Sequence, residues 1–172
     1  MGLRGHHKAA IAAVQTVRLL VVRLGKSLYA LPSEPVRGVL TRDEAGSAHT
    51  VTAVGVTYQD VDLAGRLETT LDHTHPDTRT VLYSNGQTRG AIRVEEVIGM
   101  VEVEPGQCRS LPPQFQREER TWISGTTFFQ NQLALILNPE WVLGELGEEV
   151  ATGAGSCRGE AVSHSVVSGE AC

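Results

Sequence analysis

The chain writes one stretch of its grammar twice, about sixty residues apart. Gly25–Leu40 reads G-K-S-L-Y-A-L-P-S-E-P-V-R-G-V-L and Gly86–Val101 reads G-Q-T-R-G-A-I-R-V-E-E-V-I-G-M-V. Laid together without gaps, Gly25/Gly86, Ala30/Ala91, Glu34/Glu95, Val36/Val97 and Gly38/Gly99 coincide, and Leu31/Ile92 and Leu40/Val101 are alike in kind. Each copy follows an apolar run, Leu19–Leu24 in the first and Val81–Tyr83 in the second. A repeated order of strand, tight turn, strand, short helical turn and strand predicts two similar β-subdomains packed as one body.

The 172 residues suffice for one substantial domain or two small ones sharing a core. A formal charge of −5 argues against nucleic acid, whose binders carry a basic footprint. The few aromatic residues argue against a base-stacking platform. Cys108, Cys157 and Cys172 form no C-x-x-C pair, which suits a reducing compartment. The apolar run near the N-terminus is too short for a signal peptide, and no run reaches a membrane span. The expectation is a cytoplasmic protein without membrane insertion.

Residues 1–16 read as an extension and 148–172, rich in Gly, Ala, Ser and Glu, as a disordered tail. Between them, Val17–Leu24 is apolar on both faces except at Arg18 and Arg23, as in a strand covered on both sides. Ser33 and Pro35 suit a helical start, and Val94, Val97 and Ile98 fall at i, i+3, i+4, the spacing of one helical turn. His49–Tyr58 reads as one strand, followed by a short helix or turn at Asp62–Leu67. Asn85-Gly86 predicts a hairpin with φ > 0 at both turn residues. Beyond it, Arg89, Ala91 and Arg93 share a wet face. Thr121–Phe129 and Gln132–Leu137 form another hairpin around Gln130-Asn131. Asn138-Pro139-Glu140 starts a helix, with Trp141, Val142 and Leu146 as its apolar side.

Candidate chemistry is sparse. Asp72-His73-Thr74-His75-Pro76-Asp77 is the one cluster resembling a metal or acid–base site, and a wet, proline-containing loop supplies few packed neighbours to orient such ligands. His6-His7 lies in the N-terminal extension. Asp60 and Asp62 could pair as acid and base, although Asp62 before Leu63 more simply caps a helical turn. Glu95-Glu96, Glu102 and Glu104 read as solvated faces, and Trp122 and Trp141 as core. No phosphate-binding loop, dinucleotide fingerprint or nucleophile elbow occurs, so no catalytic residue, metal or cofactor is expected.

The second half resembles a known family. T-V-L-Y-S-N-G-Q-T-R-G-A-I-R-V-E-E-V-I-G-M-V-E-V, followed by P-G-Q-C-R-S-L-P-P, is similar to the CheW-like domain of bacterial chemotaxis coupling proteins. W-I-S-G-T-T-F-F-Q-N-Q-L-A-L-I-L-N-P-E-W-V-L resembles that family's closing hairpin and terminal helix. L-V-V-R-L-G-K-S-L-Y-A-L-P-S-E-P-V-R-G-V-L resembles its opening strands. The likeness spans about Val17 to Leu146. It implies an all-β fold of two five-stranded SH3-like barrels sharing a core, with the subdomains interleaved within 17–147 and the second barrel mainly 80–137. It also implies a non-enzymatic adaptor that bridges a CheA-like histidine kinase regulatory domain to chemoreceptor tips or a motility system. Val36 and Arg37 match a partner-contact segment, and Tyr58 and Gln59 are weaker candidates. The family's usual G-x-x-N-x-R-G-x-V-x-P-V-x-D-L is replaced here by G-V-T-Y-Q-D-V-D-L from Gly55, about six residues shorter. Gly38 stands where an acidic residue is common. The residues also admit two other readings: a small metal-dependent β-barrel enzyme using Asp60, Asp62 and the Asp72–Asp77 loop, or a degenerate module that modulates the same signalling array.

Overall fold

A computed structural model describes residues 16–46, 49–115 and 118–144. The N-terminal extension with His6-His7, the tail after residue 147, Leu146, Cys157 and Cys172 lie outside these residues. Ten strands form two curled five-stranded sheets. The first, barrel A, has the order β8-β1-β2-β10-β9, from β1 (Val17–Leu24), β2 (Ser27–Pro32), β8 (Glu96–Val103), β9 (Ile123–Phe129) and β10 (Gln132–Leu137). Barrel B has the order β3-β6-β7-β5-β4, from β3 (Val36–Thr41), β4 (Thr50–Ala53), β5 (Val56–Val61), β6 (Arg79–Ser84) and β7 (Arg89–Val94). Single helical turns occur at α1 (Arg42–Ala45), α2 (Leu63–Arg66) and α3 (Glu119–Trp122), and residues 139–144 are helical.

The repeat is real at the level of hydrogen-bond register. β1, β2 and β3 stand in one copy where β6, β7 and β8 stand in the other. Val36 faces Tyr83 and Gly38 faces Leu82, with Arg37 bulged out between them. In the other copy Val97 faces Val22 and Gly99 faces Val21, with Ile98 bulged at the matching position. A bulge places two residues opposite one and bends the strand. Two copies of one bulge at the same place in the repeat explain the matched Gly38/Gly99 pair. β2 runs parallel to β10 through Ala30 and Ile136, and β7 runs parallel to β5 through Ala91 and Asp60. Each barrel is therefore built from two strands of one copy and three of the other.

This topology corrects the boundary drawn at 80–137. β6 and β7 complete barrel B, while β8, β9 and β10 return to barrel A. It also removes the two expected helical turns. After Pro32 the Ser33 N–H donates to the Arg18 carbonyl at 2.9 Å and a tight turn leads directly into β3. Val97 and Ile98 lie in β8, not in a helix. The bulge splits their stripe, Val97 packing on the shared core and Ile98 on the interior of barrel A.

Period-two alternation sends the side chains of each covered strand to two different cores. Leu20, Val22, Leu31, Val81, Tyr83 and Ile92 meet between the barrels. Leu19, Val21, Leu28, Ala30, Val103, Ala134 and Ile136 fill barrel A. Barrel B holds Ala45, Val51, Tyr58, Leu82 and Ala91. Both faces of β1 and β6 are consequently buried, as their unbroken apolar runs require. Arg18 and Arg23, the charged residues of β1, pair with Glu102 at 2.6 Å and Glu96 at 3.0 Å across the ladder to β8.

Several turns differ from their expected form. His49–Tyr58 is a β4–β5 hairpin whose tip, Val54-Gly55, takes φ of 50° and 74°. The Asn85 hairpin has a four-residue loop in which only Gly86 has positive φ. There the Asn85 Oδ1 accepts from the Gln87 and Thr88 N–H groups. Gln130 and Asn131 both take positive φ, giving the β9–β10 hairpin a tight two-residue turn. The Asn138 Oδ1 accepts from Glu140 N–H at 3.1 Å and starts the last helix, whose Val142 and Leu143 are buried. Arg66 holds that helix from α2, donating to the carbonyls of Trp141 at 2.6 Å and Val142 at 2.9 Å and lying 3.9 Å over the Trp141 ring. Trp122 and Trp141 lie against the shared core, as expected, with ring centroids 5.7 Å apart.

Candidate functional site

Val36, Arg37, Tyr58 and Gln59 all belong to barrel B, and the fold divides them. Val36 and Arg37 open β3, an edge strand, whereas Tyr58 and Gln59 lie on β5, with β6 and β7 between. Val36 turns inward against the shared core. Arg37, expelled from the ladder by the bulge, is exposed and reaches the carbonyls of Glu34 at 3.1 Å and Ser84 at 3.3 Å. Those bonds hold the guanidinium at the surface in one orientation. Gln59 is exposed, but Tyr58 is 7% exposed inside barrel B and offers no side-chain surface to a partner. The alternation of β5 explains the correction, because neighbours on a strand face opposite sides.

Apolar side chains are also exposed at separate places on the two barrels. Val39 on β3 and Met100 on β8 occupy the same place in the two copies, and both face solvent. Val54, at the β4–β5 tip, is fully exposed and holds a left-handed backbone that a β-branched residue rarely adopts. The shortened hairpin is thus formed, and its tip presents an isolated apolar side chain.

The acidic candidates have other employment. Asp62 caps α2, its Oδ1 accepting from Gly65 N–H at 2.9 Å. Asp72 closes its own loop: its Oδ1 accepts from the Thr74 hydroxyl at 2.6 Å and the Thr74 N–H at 2.8 Å. Those two bonds, hydroxyl first, hold its carboxyl below the ordinary Asp range, with His75 and His73 adding to the effect. Glu44 is lowered likewise by the Thr41 N–H and hydroxyl, which it accepts in a capping box. Burial raises the Tyr83 and Tyr29 hydroxyls above the usual tyrosine range. Glu95 is not on a solvated face. It is buried, and its Oε1 accepts from Asp72 N–H at 2.9 Å, anchoring the loop to the barrel. Among the described residues no group of three or more His, Cys, Asp or Glu side chains converges to hold a metal ion.

Asp60 is different. It sits on the inner face of β5, one step beyond Tyr58, with Arg93 one step beyond Ala91 on β7. Their charged atoms are 3.5 Å apart. Thr80 of β6 and His49, just before β4, extend the same inner face beyond Leu82 and Val51. Together they rim the open mouth of barrel B, a cleft of about 390 Å³ lined by His49, Asp60, Asp62, His73 and Arg93. A second cleft of about 220 Å³ shares His73 and Arg93 and reaches Arg42, Thr78 and Thr80. The alternation that marked Arg93 as wet was correct, but the wet side is a barrel interior and Ala91 on it is fully buried. Arg42, Arg93, His49 and Thr80 were not recognised as a group from the sequence, because strand pairing alone brings them together.

A family model described as a CheW-like domain matches residues 18–146. Among solved structures the fold is similar to the scaffolding protein TtCheW from Thermoanaerobacter tengcongensis, with a TM-score of 0.63 and 14% sequence identity. That match covers 81% of this chain and 93% of the other. No curated protein matches the chain. No helix among the described residues is long and apolar enough to cross a membrane.

Proposed function

The chain belongs to the CheW-like domain family, and on that premise we propose that it is a non-catalytic scaffold of chemotaxis-type signalling. It couples a CheA-like histidine kinase, through that kinase's regulatory domain, to chemoreceptor cytoplasmic tips or a motility system, and acts in the cytoplasm. The observation that carries this reading is the match across residues 18–146, which takes in all ten strands. The surface chemistry supports it. Arg37 offers oriented donors on an edge strand, flanked by exposed Val39, while Val36 supports the segment from below. An Arg anchor beside apolar surface is the composition that carries binding energy at protein interfaces. Gln59 belongs to the same proposal through its backbone position on β5, and Tyr58 contributes by holding that strand in place.

Calorimetric titration of the full chain against the regulatory domain of a CheA-like kinase, and separately against a receptor tip fragment, tests this. We expect saturable binding to at least one of them, weakened by Arg37→Glu without a change in melting temperature. An absence of binding to both at tens of micromolar would leave the fold standing and remove the function.

A further inference from the structure

The two matched hairpin turns differ in chemistry. Gly25 and Gly86 coincide in the repeat, and both take positive φ. The residue before Gly25 is Leu24, fully buried, whereas the residue before Gly86 is Asn85, which is exposed. The repeat therefore does not require an asparagine at this place. Asn85-Gly86 is also a reactive pair, a side-chain amide followed by a backbone nitrogen that no Cβ screens. Attack of such a nitrogen on the preceding amide carbon closes a cyclic imide and expels ammonia.

The chain has three asparagines, and the structure sorts them. Asn138 precedes Pro139, whose nitrogen carries no hydrogen and cannot form the imide. Asn131 precedes Gln132, which carries a Cβ and is held in register with Phe129 at the start of β10. At Asn85 the geometry favours reaction. Asn85 and Gly86 are both exposed, and a Cβ added at Gly86 would meet no atom within 4 Å. The Asn85 Oδ1 accepts from Gln87 N–H at 3.1 Å and Thr88 N–H at 2.8 Å, which folds the side chain back over its own peptide bond. Those two donors face the oxygen that gains negative charge as the Gly86 nitrogen adds to the carbonyl. The Gly86 N–H donates to Ser84 Oγ at 3.2 Å, which polarises the nucleophile. Asn85 Nδ2, the leaving group, has no hydrogen bond among the described residues.

We propose that Asn85 is a self-modification site. The Gly86 nitrogen bonds to the Asn85 Cγ, the Cγ–Nδ2 bond breaks, and the Gly86 proton leaves with Nδ2 as ammonia. Water then opens the succinimide at either carbonyl, leaving aspartate or isoaspartate at position 85. No oxidant, reductant or enzyme takes part, and either product adds a negative charge. Aspartate keeps an acceptor for the Gln87 and Thr88 N–H groups. Isoaspartate routes the backbone through the former side chain and shifts Ser84. The Ser84 N–H donates to the Pro35 carbonyl at 2.8 Å, and its carbonyl accepts from Arg37 at 3.3 Å. The modification thus reaches the guanidinium on which the adaptor reading draws, although the chemistry itself does not rest on that reading.

The test needs no partner protein, so a failed binding titration leaves it standing. The full chain is incubated at mildly alkaline pH, folded and unfolded in guanidinium chloride, and mapped by peptide mass spectrometry with enzymatic detection of isoaspartate. In the folded chain we expect the Asn85 peptide to gain ~1 Da at a rate within about tenfold of the unfolded chain's. It should react at least about tenfold faster than Asn131, whose following residue is not glycine. Asn85→Ser should abolish the isoaspartate signal. Amide hydrogen exchange at Ser84 should rise several-fold in the isoaspartyl fraction and stay unchanged in the aspartyl one. The proposal is overturned if the folded chain stays unmodified once the unfolded chain has reacted, or if Asn131 reacts as fast. Unchanged exchange at Ser84 in the isoaspartyl fraction would overturn the link to Arg37.

Discussion

Barrels A and B have the same strand order, the same parallel closure and the same bulge, yet their side chains solve different problems. Barrel A is sealed by Leu19 and Ile136, its bulged residue is the apolar Ile98, and two Arg–Glu pairs tie β8 to β1. Barrel B ends in Asp60, Arg93 and Thr80, and its bulged residue is the exposed Arg37, which bonds to carbonyls. One backbone can thus be tuned for packing in one copy and for surface and cavity chemistry in the other. The division concentrates hydrocarbon packing at the end of one barrel and polar groups at the end of the other.

The comparison can be broken by transplanting side chains between copies. Ile136→Asp places the barrel B carboxylate in barrel A without its guanidinium; the expected loss is about 4 kcal/mol or more in urea unfolding, as for an unpaired buried charge. A variant that melts like the wild type would show that barrel A is not closed by hydrocarbon. Leu31→Ala and Ile92→Ala delete matched side chains of the shared core, both fully buried. Each should cost roughly 3 kcal/mol, and the two costs should agree to within about 1 kcal/mol, a sharper check of the internal symmetry than either alone. At the bulges the copies should part: Ile98→Ala is expected to lose about 1–2 kcal/mol, Arg37→Ala less than about 0.5 kcal/mol. Similar losses at both sites would erase the proposed division of labour.

Smaller effects sharpen the picture of barrel B's rim. Val54→Gly removes a β-branched side chain from positive φ, with an expected gain near 1 kcal/mol in chemical denaturation. If the tip contacts a partner, the same variant binds more weakly while it unfolds later. The Asp72 loop responds to acid. Its folded-state pKa lies below the ordinary 3.8, so the loop is favoured above that value and its advantage disappears as pH falls through the depressed pKa. An NMR titration of Asp72 should show a lowered midpoint that returns toward the ordinary value in Thr74→Ala.

The outer elements of this architecture were legible from local chemistry. Gln130-Asn131 marks its hairpin because both residues tolerate positive φ, and Asp62 and Asn138 mark helix starts because their carboxylate and amide oxygens accept from orphan N–H groups. The starts of the two strands crossing between barrels, β3 and β8, read as helical turns and not as strand. An added residue at each bulge breaks strict alternation, so Val94, Val97 and Ile98 acquire the spacing of a helical turn while lying around the start of β8. Assignment of strands to barrels was equally hidden, because β2 meets β10 and β7 meets β5 through pairings that no local pattern records. The polar mouth escaped notice for a related reason. Arg93 on a strand looks the same from its sequence whether its face borders bulk water or the inside of a barrel. Tyr58 shows the converse, since an aromatic residue near a suspected contact proved to be core.

The strands of barrel B run without interruption from Val36 to Val94, whereas β1 and β2 must wait for β8, β9 and β10. During synthesis the ribosome therefore delivers everything barrel B needs long before barrel A can close. Domains that emerge complete fold as units, ahead of segments still being synthesised. The opening hairpin, apolar on both faces, spends that interval with one side against barrel B and the other bare to the cell. The strands that enclose that bare side end at Leu137, so barrel A can shelter the hairpin only once the last strand has been made.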